Sequence, residues 1–136
     1  MTRPALATLA IAVALAAPPE AVHLRVNQVG YRPRDTKIAL AMTGQDLGGQ
    51  TFDVRTSWGQ GRVFTGKVGA DRGRYGQFAH VYGLDFSPLT VKGRYVVRIG
   101  GVDSSVFPVT EDAHAQLLAK SLVFFRAQRC GAGPAR

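Results

Sequence analysis

Between His23 and Thr110 the sequence is cut by glycine, proline and aspartate into short β-prone runs, and this punctuation constrains the fold more than any other feature. The runs are "HLRVNQV" (23–29), "KIALAM" (37–42), "QTFDVRT" (50–56), "RVFTGKV" (62–68), "QFAHVYGL" (77–84), "RYVVRIG" (94–100) and "SVFPVT" (105–110). Between them stand the turn-forming clusters "YRPRD", "TGQDLGG", "SWGQG", "GADRGRYG", "SPLTVKG" and "GGVDS". Several runs alternate with period two. Leu24, Val26 and Gln28 share one side while Arg25, Asn27 and Val29 share the other, and Tyr95, Val97 and Ile99 oppose Val96 and Arg98. Alternation of this kind predicts strands that place one face on a core.

About seven short antiparallel strands in roughly 90 residues predict an all-β domain, an immunoglobulin-like β-sandwich, over residues 22–111. The rhythm changes at Thr110. "TEDAHAQLLAKSLVFFRAQRCG" offers Thr110 as a cap, Glu111 and Asp112 for the first turn, Arg126 and Arg129 for the last, and Gly131 just past the end. One C-terminal α-helix is therefore expected within residues 112–130, and residues 131–136 read as a disordered tail. Leu117, Leu118, Leu122 and Phe125 share a face of that helix. Val123 and Phe124 widen the stripe beyond what one sandwich edge covers.

The start of the chain follows a different grammar. Arg3, an apolar run from Ala5 to Ala17, and small residues at Ala14 and Ala16 before a proline pair read as a signal peptide over residues 1–21. The run is shorter than the roughly 20 residues of a membrane-spanning helix. Secreted or periplasmic localisation is expected, with cleavage between Ala16 and Ala21 and no membrane attachment afterwards. The formal charge of +8 raises nucleic acid as a partner. However, the arginines are scattered, the densest pair, Arg72 and Arg74, lies in a glycine-rich turn, and no aromatics interleave with them, so none is expected. Cys130 is the only cysteine and has no internal disulfide partner.

No catalytic set stands out. Acid–base hydrolysis by a carboxyl pair needs the two groups opposed across the bond to be cleaved, roughly 5–10 Å apart. The acids Asp35, Asp46, Asp53, Asp71, Asp85 and Asp103 sit in or beside predicted turns, and Glu111 and Asp112 serve the helix start. His23, His80 and His114 lack metal-ligand spacing. Ser104 and Ser105 lack a nucleophile-elbow context, and "GQG" at 59–61 is a turn rather than a phosphate loop. Neither a cofactor nor a metal is expected. Trp58, in "SWGQG", is the one weak glycan-contact residue, because an exposed indole can stack on a sugar ring.

The two ends of the chain resemble one family. "LRVNQVGYRPRDTKIAL" resembles the first strands of the immunoglobulin-like domain that precedes the catalytic domain in many glycoside hydrolase family 9 enzymes of the cellulase type. "LDFSPLTVKGRYVVRIGGVDSSVFPV" resembles its later strands, and "LLAKSLVFFRAQRCG" is similar to the first helix of the catalytic (α/α)6 barrel. The resemblance spreads over residues 22 to 131 in the expected order. It implies a non-catalytic module that buttresses a β-1,4-glucanase barrel, with the family's catalytic aspartate and glutamate segments absent from this chain. It implies that Cys130 matches one ligand of a structural zinc found in some members, without its partners. It also makes Asn27, Gln28, Tyr31, Leu117, Leu118, Leu122, Phe124 and Phe125 candidates for the domain interface. The alternative is a free-standing secreted carbohydrate-binding sandwich with β-glucan as its ligand. The wide apolar helix favours the first reading, since a self-contained binding module has no use for it.

Overall fold

The computed structural model describes residues 21–59 and 61–128. The strands are β1 (His23–Arg25), β2 (Ile38–Thr43), β3 (Thr51–Thr56), β4 (Arg62–Lys67), β5 (His80–Asp85), β6 (Gly93–Ile99), β7 (Val102–Asp103) and β8 (Phe107–Val109), followed by helix α1 (Ala115–Gln128). They form two antiparallel sheets, one in the order β1-β2-β5 and one in the order β4-β3-β6, with β7 and β8 pairing successive halves of β6. Each expected run contains a strand. The additional strand, β7, arises because Gly100 and Gly101, at φ 57° and 82°, close a tight hairpin that folds Val102–Asp103 back on β6.

The inner faces carry the expected alternation. Leu24, Ala39, Ala41 and Leu84 from one sheet meet Phe52, Val54, Val97 and Ile99 from the other in a single buried cluster. In β6 Tyr95, Val97 and Ile99 are buried while Val96 and Arg98 between them stay half-exposed. Ser104 interrupts the edge between β7 and β8, and its amide and hydroxyl both bond Val97 (2.8 and 3.0 Å), which keeps the ladder satisfied across the break.

Beyond β1 the chain turns at Asn27. The side chain Oδ1 accepts the Val29 amide (3.1 Å) and Nδ2 donates to the Gly30 carbonyl (3.0 Å). Gly30 sits at φ 113°, and a Cβ there would stand 2.7 Å from the Cγ and carbonyl oxygen of Pro108. Only glycine fits. The close approach lets Tyr31 N donate to Pro108 O (3.0 Å) and Thr110 N to Tyr31 O (2.9 Å), a parallel bridge that ties this segment to the end of β8.

The helix differs from expectation at its start. Thr110 is not its cap, because a turn over residues 111–114, closed by Ala115 N on Asp112 O (3.1 Å), separates it from the first helical residue. Glu111 and Asp112 lie in a turn ahead of the helix, where Glu111 pairs with Lys92 (3.4 Å), and α1 has no acidic residue in its first turn. Arg126 occupies the last turn as expected, while Arg129, Cys130 and the tail fall outside the described residues, as does the leader up to Glu20. No helix of the described residues is long and apolar enough to cross a membrane.

Candidate domain junction at the helix end of the sandwich

Strand directions bring several connections to the end of the sandwich from which α1 departs. There β8 ends, β6 begins, and β3 ends opposite it, with Ser57 N bonded to Arg94 O (2.9 Å). The turn before β2 and the turn after β5 meet at the same place, where Phe86 N bonds Lys37 O (3.0 Å).

Tyr31 is the centre of this end. It is buried, and its ring sits edge-on to Phe86 and Phe107 at centroid distances of 5.4 and 5.6 Å. Its hydroxyl donates to Ile38 O (3.1 Å) and accepts the Asn27 amide (3.2 Å), while burial raises its pKa. Tyr31 is thus an internal strut of the sandwich. Gln28 reaches across to Ser105 Oγ (3.3 Å), so both polar candidates of the first segment are engaged within the domain.

Sequence reading missed Lys37. Its residue is fully buried, and the ammonium donates to three carbonyl oxygens, those of Pro33 (2.8 Å), Asp35 (2.8 Å) and Ser87 (3.2 Å). Burial pushes its pKa down, against the pull of Asp35 and Asp85. A lysine at the start of a strand carries no sign in the sequence that it will turn inward. Only the convergence of two distant turns creates the cage.

Beyond this tied base the helix stands uncovered. Ala113 is buried and His114 lies 3.9 Å from Asp35, but Leu118, Val123 and Phe125 are each more than three-fifths exposed. Leu117, Leu122 and Phe124 are close to half exposed, so the whole predicted interface stripe of α1 faces solvent.

The described carboxylates are arranged for structure. Tyr82 Oη donates to Asp46 (2.7 Å), and His80 Nδ1 lies 2.6 Å from Asp71. The Gly48 amide and Tyr82 hold Asp46 below the usual carboxylate range, and His80 and the Gly73 amide do the same for Asp71. Thr65 lowers Asp53, Ser87 lowers Asp85, and Arg98 lowers Asp103. A glycosidase acid needs the opposite, a carboxyl that keeps its proton near neutrality. Among the described residues no group of three histidine, cysteine, aspartate or glutamate side chains is placed to hold a metal.

Comparison with known proteins completes the picture. The model of the cellulase N-terminal Ig-like domain matches residues 20–104. The chain belongs to that family. Its fold is accordingly the immunoglobulin-like sandwich, with eight strands among the described residues. Among solved structures this Ig-like domain is similar to a Bacteroides ovatus family 9 glycoside hydrolase, with TM-score 0.65 and 25% identity over 77% of this chain and 18% of that one. It is also similar to a single mutant of a thermostable endoglucanase from Alicyclobacillus acidocaldarius, with TM-score 0.63 and 28% identity over 77% of this chain and 18% of that one. The chain thus spans less than a fifth of the length of these relatives. No curated protein matches it.

Proposed function

We propose that this chain serves as the non-catalytic N-terminal module of a secreted family 9 glycoside hydrolase, and that it packs against and stabilises a helical catalytic barrel through α1. The observation that carries the proposal is the apolar face of α1, with Leu117, Leu118, Leu122, Phe124 and Phe125 each about half or more in water while the sandwich behind it is internally complete. Helices flanking α1 would bury that face, as the barrel's helices do for one another. The test is to mix the chain with a family 9 catalytic barrel expressed without its own Ig-like domain. Association with a raised melting temperature of the barrel, lost when Leu118 and Phe125 are made polar, is the expected result. Absence of any complex sinks the proposal. The export half of the reading rests on the basic start and apolar run of residues 1–21, and mass spectrometry of secreted material should show a mature terminus between Pro18 and Val22.

A further inference from the structure

Trp58 stands out of the β3–β4 turn with 88% of its surface in solvent, and one exposed ring does not make a site. An enclosed polar site lies instead around the Lys37 ammonium, next to the place where Asp35 faces His114 (3.9 Å) ahead of α1. Two turns build it. The first is closed by Asp35 N on Arg32 O (3.1 Å) and by Arg32 N on Asp35 Oδ2 (2.9 Å). The second is closed by Leu89 N on Phe86 O (3.0 Å), and Asp85 Oδ1 accepts both the amide (2.9 Å) and the hydroxyl (2.6 Å) of Ser87. The backbone of Lys37 is fixed to the second turn, with its amide on Ser87 Oγ (2.9 Å) and its carbonyl on Phe86 N (3.0 Å). Each turn therefore holds its shape through bonds that do not involve the ammonium. The carbonyl oxygens of Pro33, Asp35 and Ser87 are left to converge on one point, 2.8, 2.8 and 3.2 Å from Lys37 Nζ.

That convergence selects the chemistry of the occupant. Three acceptors around one atom need three donors on it. A neutral amine offers two N–H groups and turns its lone pair on the third oxygen, so only an ammonium satisfies all three. The distances are those of N–H···O hydrogen bonds. They are too long for calcium, which takes six to eight oxygens at about 2.3–2.6 Å. We propose that the two turns are a preformed receptor for a single primary ammonium ion. In this protein Lys37 fills it from within, and with that side chain cut back the receptor takes a free alkylammonium ion from solution. The inference is independent of the scaffold role of α1.

Lys37→Ala keeps Cβ and removes a fragment equivalent to n-propylammonium. Titrating the full Lys37→Ala chain with n-propylammonium chloride should raise its melting temperature saturably, by at least about 3 °C. Half-saturation should lie in the millimolar range, as so small a ligand allows. Sodium chloride and tetramethylammonium chloride, which bring the charge without an N–H, should give no saturable rise, and the parent chain should not distinguish the three salts. The proposal is overturned if propylammonium has no effect or if tetramethylammonium matches it. Should the variant not fold, nitrogen-15 NMR of the parent chain decides. Lys37 should give an ammonium signal that exchanges with water at least tenfold more slowly than those of the exposed Lys67, Lys92 and Lys120. A neutral amine signal, or exchange as fast as theirs, overturns the proposal.

Discussion

Lys37 shows at the scale of a residue how this end of the sandwich is held. A charged amine without solvent is costly unless every donor is used, and here three carbonyls from two separate turns accept its hydrogen bonds. Replacing it by methionine keeps most of the stem but leaves Pro33 O, Asp35 O and Ser87 O without that donor. The expected loss is about 3 kcal/mol, because stranded buried acceptors carry the desolvation cost outright. Urea unfolding of Lys37→Met measures it, and a midpoint equal to the parent's would show that water replaces the amine at no cost. Gly30 belongs to the same scale. Its positive φ and its contact with Pro108 explain why the chain can cross from β1 to the flank of β8.

At the scale of an element, α1 is the part whose stability the rest of the chain does least to supply. Its sequence favours helix, with alanine, leucine and lysine in the interior and no glycine or proline between Ala115 and Gln128. A single helix of this length is nevertheless marginal in water without packing. Burying a leucine or phenylalanine side chain is worth about 1.5–3 kcal/mol. With roughly half of Leu117, Leu118, Leu122 and Phe125 in water, on the order of 3–6 kcal/mol of burial is unrealised. That is comparable with the lower end of a whole domain's stability, about 5–15 kcal/mol. The chain alone should therefore self-associate or bind a hydrophobic dye. Changing Leu118, Leu122 and Phe125 together to glutamine should abolish both while leaving the sandwich's melting temperature unchanged. Light scattering and dye fluorescence check the first outcome, calorimetry the second. A drop in melting temperature would mean that α1 folds back on the sandwich.

At the scale of the whole molecule, the ionisable groups set a window of stability. Asp46, Asp53, Asp71, Asp85 and Asp103 all have folded pKa values below their unfolded ones. The unfolded chain then binds more protons as pH falls, so the stability they contribute is present above about pH 4 and is lost below it. Tyr31, Tyr82 and Tyr95 have raised values because burial disfavours phenolate. Their contribution is present below about pH 10 and is lost as pH rises further, with the depressed Lys37 acting in the opposite sense. Denaturation midpoints should form a plateau between these limits. Asp85→Asn, which removes the carboxylate that Ser87 and Lys37 favour, should lower the plateau and flatten the acid limb. An acid limb of unchanged steepness would show that Asp85 is not one of the groups responsible.

Much of the fold follows from the chain's own punctuation. Alternating residues such as Tyr95, Val97 and Ile99 show which side is core, because a strand's period of two leaves them no other arrangement. Glycines and aspartates mark the turns, since local backbone chemistry acts over a few residues. The apolar width of α1 was likewise legible as a face in need of a partner. Other features depend on residues far apart in sequence. Val102–Asp103 became a strand because the Gly100–Gly101 hairpin met a free half of β6. Thr110 missed its expected capping place because its amide is tied to Tyr31 at the end of β8 and a turn over residues 111–114 intervenes before α1. Lys37 turned inward because the turns at Pro33–Asp35 and Ser87 converge on it. The sequence by itself determines periodicity and turn chemistry, which are local. Which polar groups find partners is decided only when distant segments close on one another in the tertiary structure.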